Sequence, residues 1–316
     1  MFKGKYSTLT SHRQMIQDRY RTFSYKKAIE ETVQEDDVVI DYGSGSGILS
    51  IIAARAGAGK VYAIERNIFT AKFLEHNIKI NSLSHRIEIF IGDATDFVIA
   101  NPNIDVDVII SECIGDHLFE NKMIYEFLYL SETYSPRATI PFEMSLCLYQ
   151  GSIDIRKALA DDVLTSLAQN RIKIDLDSIL PEETLDIAYL EDYSSEKDPY
   201  FNLIDKVEHK NCSELFTFRS LSDLQFYEKD KGIISRNVTC RTSGKYLLFY
   251  FRAFLTPKIL FHSHPSRPRN VNHSYFQRII YYPHSYNTIN IFLNYLYDRK
   301  DNEDRACQNI WIENDI

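Results

Sequence analysis

An α/β domain built on a doubly wound parallel sheet, followed by a β-rich domain, is the fold class this sequence predicts. Three observations predict it. Strand-like and helix-like runs alternate between Val38 and Ser111. A glycine-rich turn, Asp41-Tyr42-Gly43-Ser44-Gly45-Ser46-Gly47, joins the first strand of that alternation to its first helix. Near Ser135-Pro136 and Ile140-Pro141 the texture changes, and the later runs are mostly strand-like. A chain of 316 residues fits one large domain or two ordinary ones.

Each element follows from its pattern. Residues 10–34 read as helical, with Met15, Ile16, Tyr20, Ala28 and Ile29 spaced between charges. Residues 38–41 form a β-branched strand, 48–55 a helix, 60–65 a strand and 69–77 a helix. Residues 87–91 and 106–111 are further strands. In the second half, strand-like runs cover 144–149, 215–218, 246–254, 277–282 and 290–296, interrupted by a helix-like insertion at 153–170. The boundary between the domains falls near Pro141, giving domains 1–142 and 143–316.

Composition narrows the classes of function. With 44% hydrophobic and 25% charged residues, the chain can bury a substantial core without staples. A formal net charge of -8 argues against general nucleic-acid binding, which needs a basic face. The five cysteines (Cys113, Cys147, Cys212, Cys240 and Cys307) show no CxxC spacing. They are expected to be reduced thiols of a cytoplasmic protein, with no metal site. No run reaches membrane-spanning length and no N-terminal stretch has signal-peptide character, so neither a membrane nor a nucleic acid is expected as partner.

The glycine turn points to a cofactor, because a backbone without Cβ atoms lets a ligand approach closely at a helix N-terminus. Such turns serve both dinucleotides and S-adenosylmethionine. Glu65 ends the next strand, eighteen residues after Gly47, where a carboxylate can accept from ribose hydroxyls. Asp93 follows the third strand, suitably placed for an adenine amino group. With Asp41 at the end of the first strand, three acids surround one crevice. That suits a cofactor with a positive amino group and a sulfonium better than a pyrophosphate.

The N-terminal half resembles the protein arginine methyltransferase family. His12-Arg13-Gln14-Met15-Ile16-Gln17-Asp18-Arg19-Tyr20-Arg21-Thr22 resembles the family's helix that closes over the cofactor, and Asp41–Leu49 its glycine motif. Val106-Asp107-Val108-Ile109-Ile110-Ser111-Glu112, with Gly115, Leu118-Phe119 and Met123, resembles its strand and catalytic loop. The resemblance spans about residues 6 to 142 and continues colinearly, more weakly, through the second half. It implies a β-barrel-like second domain carrying a helical dimerisation arm, at about residues 153–190, and hence a homodimer.

The resemblance also implies roles for individual residues. The cofactor would be S-adenosyl-L-methionine, held by His12, Met15, Arg21, Asp41, Gly43, Gly45, Glu65, Asp93 and Met123. Arg21 would pair with its carboxylate, Gly43 and Gly45 would make room for its methionine part, Glu65 would bind ribose and Asp93 would lie near the adenine. Met15 and Met123 would pack near the sulfonium. Asp18 would pair with a histidine of the second domain, for which His273 is the candidate.

The acceptor site departs from the family's pattern. There, two glutamates on one loop grip the substrate guanidinium. Glu112 matches the first, whereas an ungapped match puts Asn121 at the second, with Glu120 one residue earlier. Either Glu120 enters the site, or the site keeps one carboxylate and an amide. An amide accepts a hydrogen bond but does not neutralise a guanidinium, which stays charged at any ordinary pH. The expected activity is methyl transfer to a guanidino nitrogen of protein or free arginine. Two alternatives stand beside it: another small-molecule nitrogen, oxygen or carbon nucleophile as acceptor, and an inactive relative that regulates a partner by heterodimerisation.

Overall fold

The computed structural model describes residues 9–115, 118, 123–151, 212–224, 226–228, 233–240, 246–263, 278–281, 289–296 and 307–314. The predicted arm, the insertion at 153–170, and Glu120, Asn121 and His273 lie outside them.

Two helices come first, α1 (Leu9–Gln17) and α2 (Arg19–Thr32). The sequence pattern predicted one continuous helix here. The break falls at Asp18, whose buried carboxylate accepts from the backbone N–H of Arg21 at 3.1 Å and so caps α2.

The alternating region then runs β1 (Val38–Tyr42), α3 (Ile48–Ala56), β2 (Lys60–Glu65), α4 (Ile68–Ile80), β3 (Ile87–Ile91), α5 (Ala94–Ala100), β4 (Val108–Ser111), α6 (Met123–Tyr134) and β5 (Ala138–Ile140). The strands form one parallel sheet in the order β3-β2-β1-β4-β5. β1 lies at its centre and is apolar and buried almost throughout, as a strand covered on both faces must be. Right-handed crossovers put α3 and α4 on one face and α5 and α6 on the other. The direction of winding reverses between β1 and β4, and ligands of such sheets bind beyond the carboxyl ends of the strands at that point.

Sequence patterns located five of these elements closely. Two helices escaped them. α5 is short and owes its start to a reciprocal cap, in which Asp93 and Asp96 each accept from the other's backbone N–H. α6 buries Ile124, Phe127, Leu128 and Leu130, a helical spacing in the segment between β4 and β5. β4 begins at Val108 rather than Val106; just before it the Val38 N–H donates to the Asp107 carboxylate at 2.8 Å instead of to a backbone carbonyl of this strand.

Beyond Pro141 the strands are antiparallel. One sheet has the order β11-β10-β6-β7, from β6 (Glu143–Gly151), β7 (Cys212–Phe218), β10 (Tyr246–Thr256) and β11 (Ile259–His262), with β12 (Arg278–Tyr281) also on β10. A second has the order β14-β13-β9-β8, from β8 (Phe226–Glu228), β9 (Ile233–Cys240), β13 (Ile289–Leu296) and β14 (Cys307–Asn314). The predicted strands β6, β7, β10, β12 and β13 are present, and β8, β9, β11 and β14 are additional.

Helix α2 joins the two halves. Tyr25, Ala28 and Ile29 bury one side of it in the core. Tyr20 packs tilted and Tyr25 edge-on against Phe261 of β11 at centroid separations of 5.4 and 6.0 Å, and the Tyr20 hydroxyl donates to the carbonyl of Leu260 at 3.3 Å. The hydrophobic core therefore runs without interruption from the parallel sheet to Phe249, Phe251 and Phe261.

On the far face, Phe97 of α5 is fully buried with its ring 5.1 to 6.2 Å from those of Phe90, Tyr62 and Tyr134. Phe97→Ala is expected to lower the unfolding free energy by about 3–5 kcal/mol in urea denaturation, the usual cost of such a cavity.

Candidate active site

The site begins where β1 ends. The register aligns Tyr42 with Ile64 of β2 and with Ser111 of β4, and Glu65 with Ile91 of β3. The chain segments carrying Asp41, Glu65, Asp93 and Glu112 thus emerge at one edge of the parallel sheet.

The glycine loop is fastened from below. The N–H groups of Gly43 and Ser44 both donate to the carbonyl of Ile64 at 3.0 Å, and the Ser44 hydroxyl donates to that of Asp41 at 2.7 Å. The Gly45 N–H donates to Glu65 Oε2 at 3.0 Å, while Oε1 accepts from the Asn67 N–H at 2.7 Å. One carboxylate therefore ties the loop to the start of α4. Each of its oxygens keeps a further lone pair for a ligand hydroxyl. Burial pushes the Glu65 carboxyl above the usual range.

Gly43 is required as glycine. Its φ is +73°, and an added Cβ would come within 2.2 Å of the Met123 methyl at the start of α6. At Gly45 the neighbour is His12 of α1, whose Cε1 would lie 3.0 Å away. The loop is thus roofed by two side chains from segments distant in sequence, both placed in the cofactor site by the family resemblance. Met15 lies half-buried on α1, three residues after His12.

Asp41 sits beneath the loop, 1% exposed. Its Oδ2 accepts from the Ser50 hydroxyl, and its Oδ1 has no hydrogen-bond partner. Burial pushes its carboxyl up to about 6, against the pull of the serine hydrogen bonds. A buried acceptor with one oxygen unused is suited to a cationic ligand group. Asp93 is placed less simply than the sequence suggested: its Oδ1 caps α5 by accepting from the Asp96 N–H at 2.9 Å, and a ligand contact there falls to its other oxygen.

Beside the loop, Glu112 leaves the end of β4 and pairs directly with the guanidinium of Arg21. Exposures of 11% and 14% keep this pair largely out of water, where charge is weakly screened. One turn along α2, the Tyr25 hydroxyl donates to the carbonyl of Ser111 at 3.2 Å, and the Ser111 hydroxyl donates to that of Tyr42 at 2.7 Å. Burial, and then the charge of Glu112, raise the Tyr25 hydroxyl well above its usual range. After Glu112, Gly115 and Leu118 bond to each other through both backbone groups, with Leu118 fully buried at φ +76°.

Sequence reasoning missed three residues. Tyr25 is four residues from Arg21 on the same helical face, a spacing that was available to be read. Tyr42, buried inside the glycine motif, donates its hydroxyl to Glu126, and Glu126 is three residues after Met123 on α6. Asp18, which the resemblance had placed in the site, is buried as the cap of α2; the expected partner, His273, lies outside the described residues. Among the described residues no group of His, Cys, Asp or Glu could hold a metal ion, and no helix is long and apolar enough to cross a membrane.

Comparison with known proteins bears on this arrangement. Residues 24–128 match the model of the ribosomal protein L11 methyltransferase (PrmA) family. Over 134 residues, 42% of this chain, the sequence is 35% identical to histone-arginine methyltransferase CARMER of Drosophila erecta and to the probable enzyme of that name of Drosophila melanogaster. The chain resembles the protein arginine methyltransferases. The match takes in 24% of the length of those curated relatives. The fold likeness is wider. Arabidopsis thaliana protein arginine methyltransferase 10 superposes with a TM-score of 0.62 at 20% identity, covering 97% of this chain and 98% of its own. The Trypanosoma brucei PRMT1 enzyme-prozyme complex with AdoHcy gives 0.65 at 18% identity, covering 98% and 99%. At such identities the likeness establishes the architecture: a Rossmann-like parallel sheet followed by antiparallel sheets of the kind these enzymes carry.

The buried charge of Asp41 has a measurable signature. A carboxyl raised from 3.8 to about 6 binds its proton more tightly in the folded state, so ionisation destabilises the fold as pH rises through that window. Asp41→Asn removes this dependence. The stability difference, variant minus wild type, is expected to grow by about 2 kcal/mol between pH 4 and pH 7 in denaturant titrations without ligand.

Proposed function

We propose that this chain is an S-adenosylmethionine-dependent methyltransferase whose acceptor is a guanidino nitrogen of arginine, in a protein or free. The observation that carries the proposal is the juxtaposition, at the switch point of the sheet, of a glycine-loop crevice and a carboxylate already holding a guanidinium.

The residues present fit this cofactor. Its sulfonium and α-amino group are cations, and the unused oxygen of buried Asp41 supplies an acceptor for such a group. Its ribose hydroxyls match the spare lone pairs of Glu65, and Arg21 is the cation for its carboxylate. Without a Cβ at Gly43 and Gly45, Met123 and His12 come down onto the loop and close the crevice. The bound cofactor supplies an electrophilic methyl group.

The chain's own contribution is placement. Glu112 lies beside the crevice and accepts hydrogen bonds from a planar cation. Tyr25, through the Ser111 carbonyl, holds the backbone from which Glu112 projects. A carboxylate fixed in a poorly solvated site orients one nitrogen towards the methyl donor and balances its charge, and such positioning accounts for about 7–11 kcal/mol of a barrier. Either Glu120 or Asn121 makes the second contact to the acceptor in this reading.

The buried thiols of Cys113 and Cys147 support a reducing, cytoplasmic setting. The heterotetrameric Trypanosoma brucei neighbour supports an oligomer, which we read as a homodimer through the arm, and its fold supports closure of the second domain as a barrel.

Incubation with S-adenosylmethionine carrying a labelled methyl group, with arginine-rich peptide or free arginine, tests the reading. Mass spectrometry is expected to find the label on a guanidino nitrogen, with kcat about a hundredfold lower in Glu112→Gln. Cofactor binding without transfer to any nucleophile would mark a regulatory relative instead. Label on another atom would move the acceptor class.

A further inference from the structure

Arg21 and Glu112 have been given different tasks, one towards the cofactor's carboxylate and the other towards the acceptor. In this structure they are bonded to each other. We infer that Arg21 is an internal stand-in for the acceptor guanidinium: it occupies Glu112 until the cofactor's carboxylate draws it away, so that cofactor binding opens the acceptor site. The inference rests on the methyltransferase reading and deepens it by giving the site an order of binding.

The geometry makes the exchange a side-chain movement. Helix α2 is pinned at both sides of Arg21. Asp18 caps it three residues earlier, and Tyr25 bonds the Ser111 carbonyl four residues later. Tyr20 is held on Phe261 and on the carbonyl of Leu260. The backbones carrying Arg21 and Glu112 are therefore fixed relative to each other, and only the guanidinium has to turn. The chemistry makes it a competition. A single carboxylate partnered by one guanidinium offers little to a second, since bringing two cations together on one anion leaves a net positive charge in a poorly screened site. Removing Arg21 to an incoming carboxylate takes this guanidinium off Glu112, and a half-buried carboxylate relieved of that ion pair is a strong seat for the next guanidinium. The same pairing keeps the charge of Glu112 balanced before any ligand arrives.

The test is the affinity for S-adenosylhomocysteine, measured by calorimetry on the wild type and on Glu112→Gln. Competition predicts that the variant binds more tightly, by about tenfold to a hundredfold, because its Arg21 no longer has to leave an ion pair. Unchanged or weaker binding would overturn the inference, since a glutamate that only positions Arg21 for the cofactor gives that result. The same preparation must be catalytically impaired, so tighter binding is not a general gain of function. Should the variant fail to fold, the wild type decides. N-acetyl-arginine amide is expected to bind about tenfold or more tightly when S-adenosylhomocysteine is saturating; equal or weaker affinity, or none in either state, overturns the inference. Failure of the wild type to bind S-adenosylhomocysteine at all would remove the methyltransferase reading with it. Binding without the predicted coupling removes the inference alone.

Discussion

The adjacency of β1 and β4 is the constraint on which the rest of the site depends. Reversal of winding between them leaves a crevice that no crossover helix covers. β1 delivers the glycine loop to it and β4 delivers Glu112. The hydrogen bond from the Ser111 hydroxyl to the Tyr42 carbonyl locks these two strand ends together in the last matched pair of their register. Shifting either strand would separate the crevice from the carboxylate beside it.

Around that crevice the structure concentrates negative charge and then answers it piecemeal. Glu65 is satisfied by backbone N–H groups, Asp93 by the start of α5, and Glu112 by Arg21. Asp41 alone keeps an unsatisfied buried oxygen, and its raised titration range reports the cost. A group in that condition is stabilised by whatever cation comes to lie against it, which links the fold's least comfortable residue to the ligand the crevice is shaped for. The roof is built differently, from His12 and Met123 against glycines, so that shape rather than charge encloses the site from above.

Much of this was legible in the sequence because it is local. The β-branched run of β1, the glycines after it and the periodic helix α3 declare themselves within twenty residues. The acid at the end of β2 follows at a readable distance. What escaped was non-local or disguised. The contacts of Arg21 with Glu112 and of Tyr25 with Ser111 join residues 91 and 86 apart in the chain, and no spacing rule reaches so far. The resemblance pairs Asp18 with a histidine of the second domain, and only the structure shows it to be a buried cap as well. Asp93 carried two candidate roles at one position, and the sequence exposed one of them. The strands β8, β9, β11 and β14 are short or polar-interrupted runs, in which alternation is too weak to be separated from loop. The contrast between Glu120 and Asn121 lies outside the described residues, so the acceptor loop stands as the sequence left it.

Helix α2 is the element through which these parts act as one. It packs on the parallel sheet, touches β11 of the antiparallel sheet, and carries the guanidinium that lies between cofactor crevice and acceptor seat. The account therefore turns on where that guanidinium goes when the crevice is filled. A crystal structure with S-adenosylhomocysteine bound tests this most directly. The account predicts the ligand between the glycine loop and Glu65, with the Arg21 guanidinium on its carboxylate and separated from Glu112. A ligand bound elsewhere, or Arg21 still seated on Glu112 with the crevice filled, would contradict it.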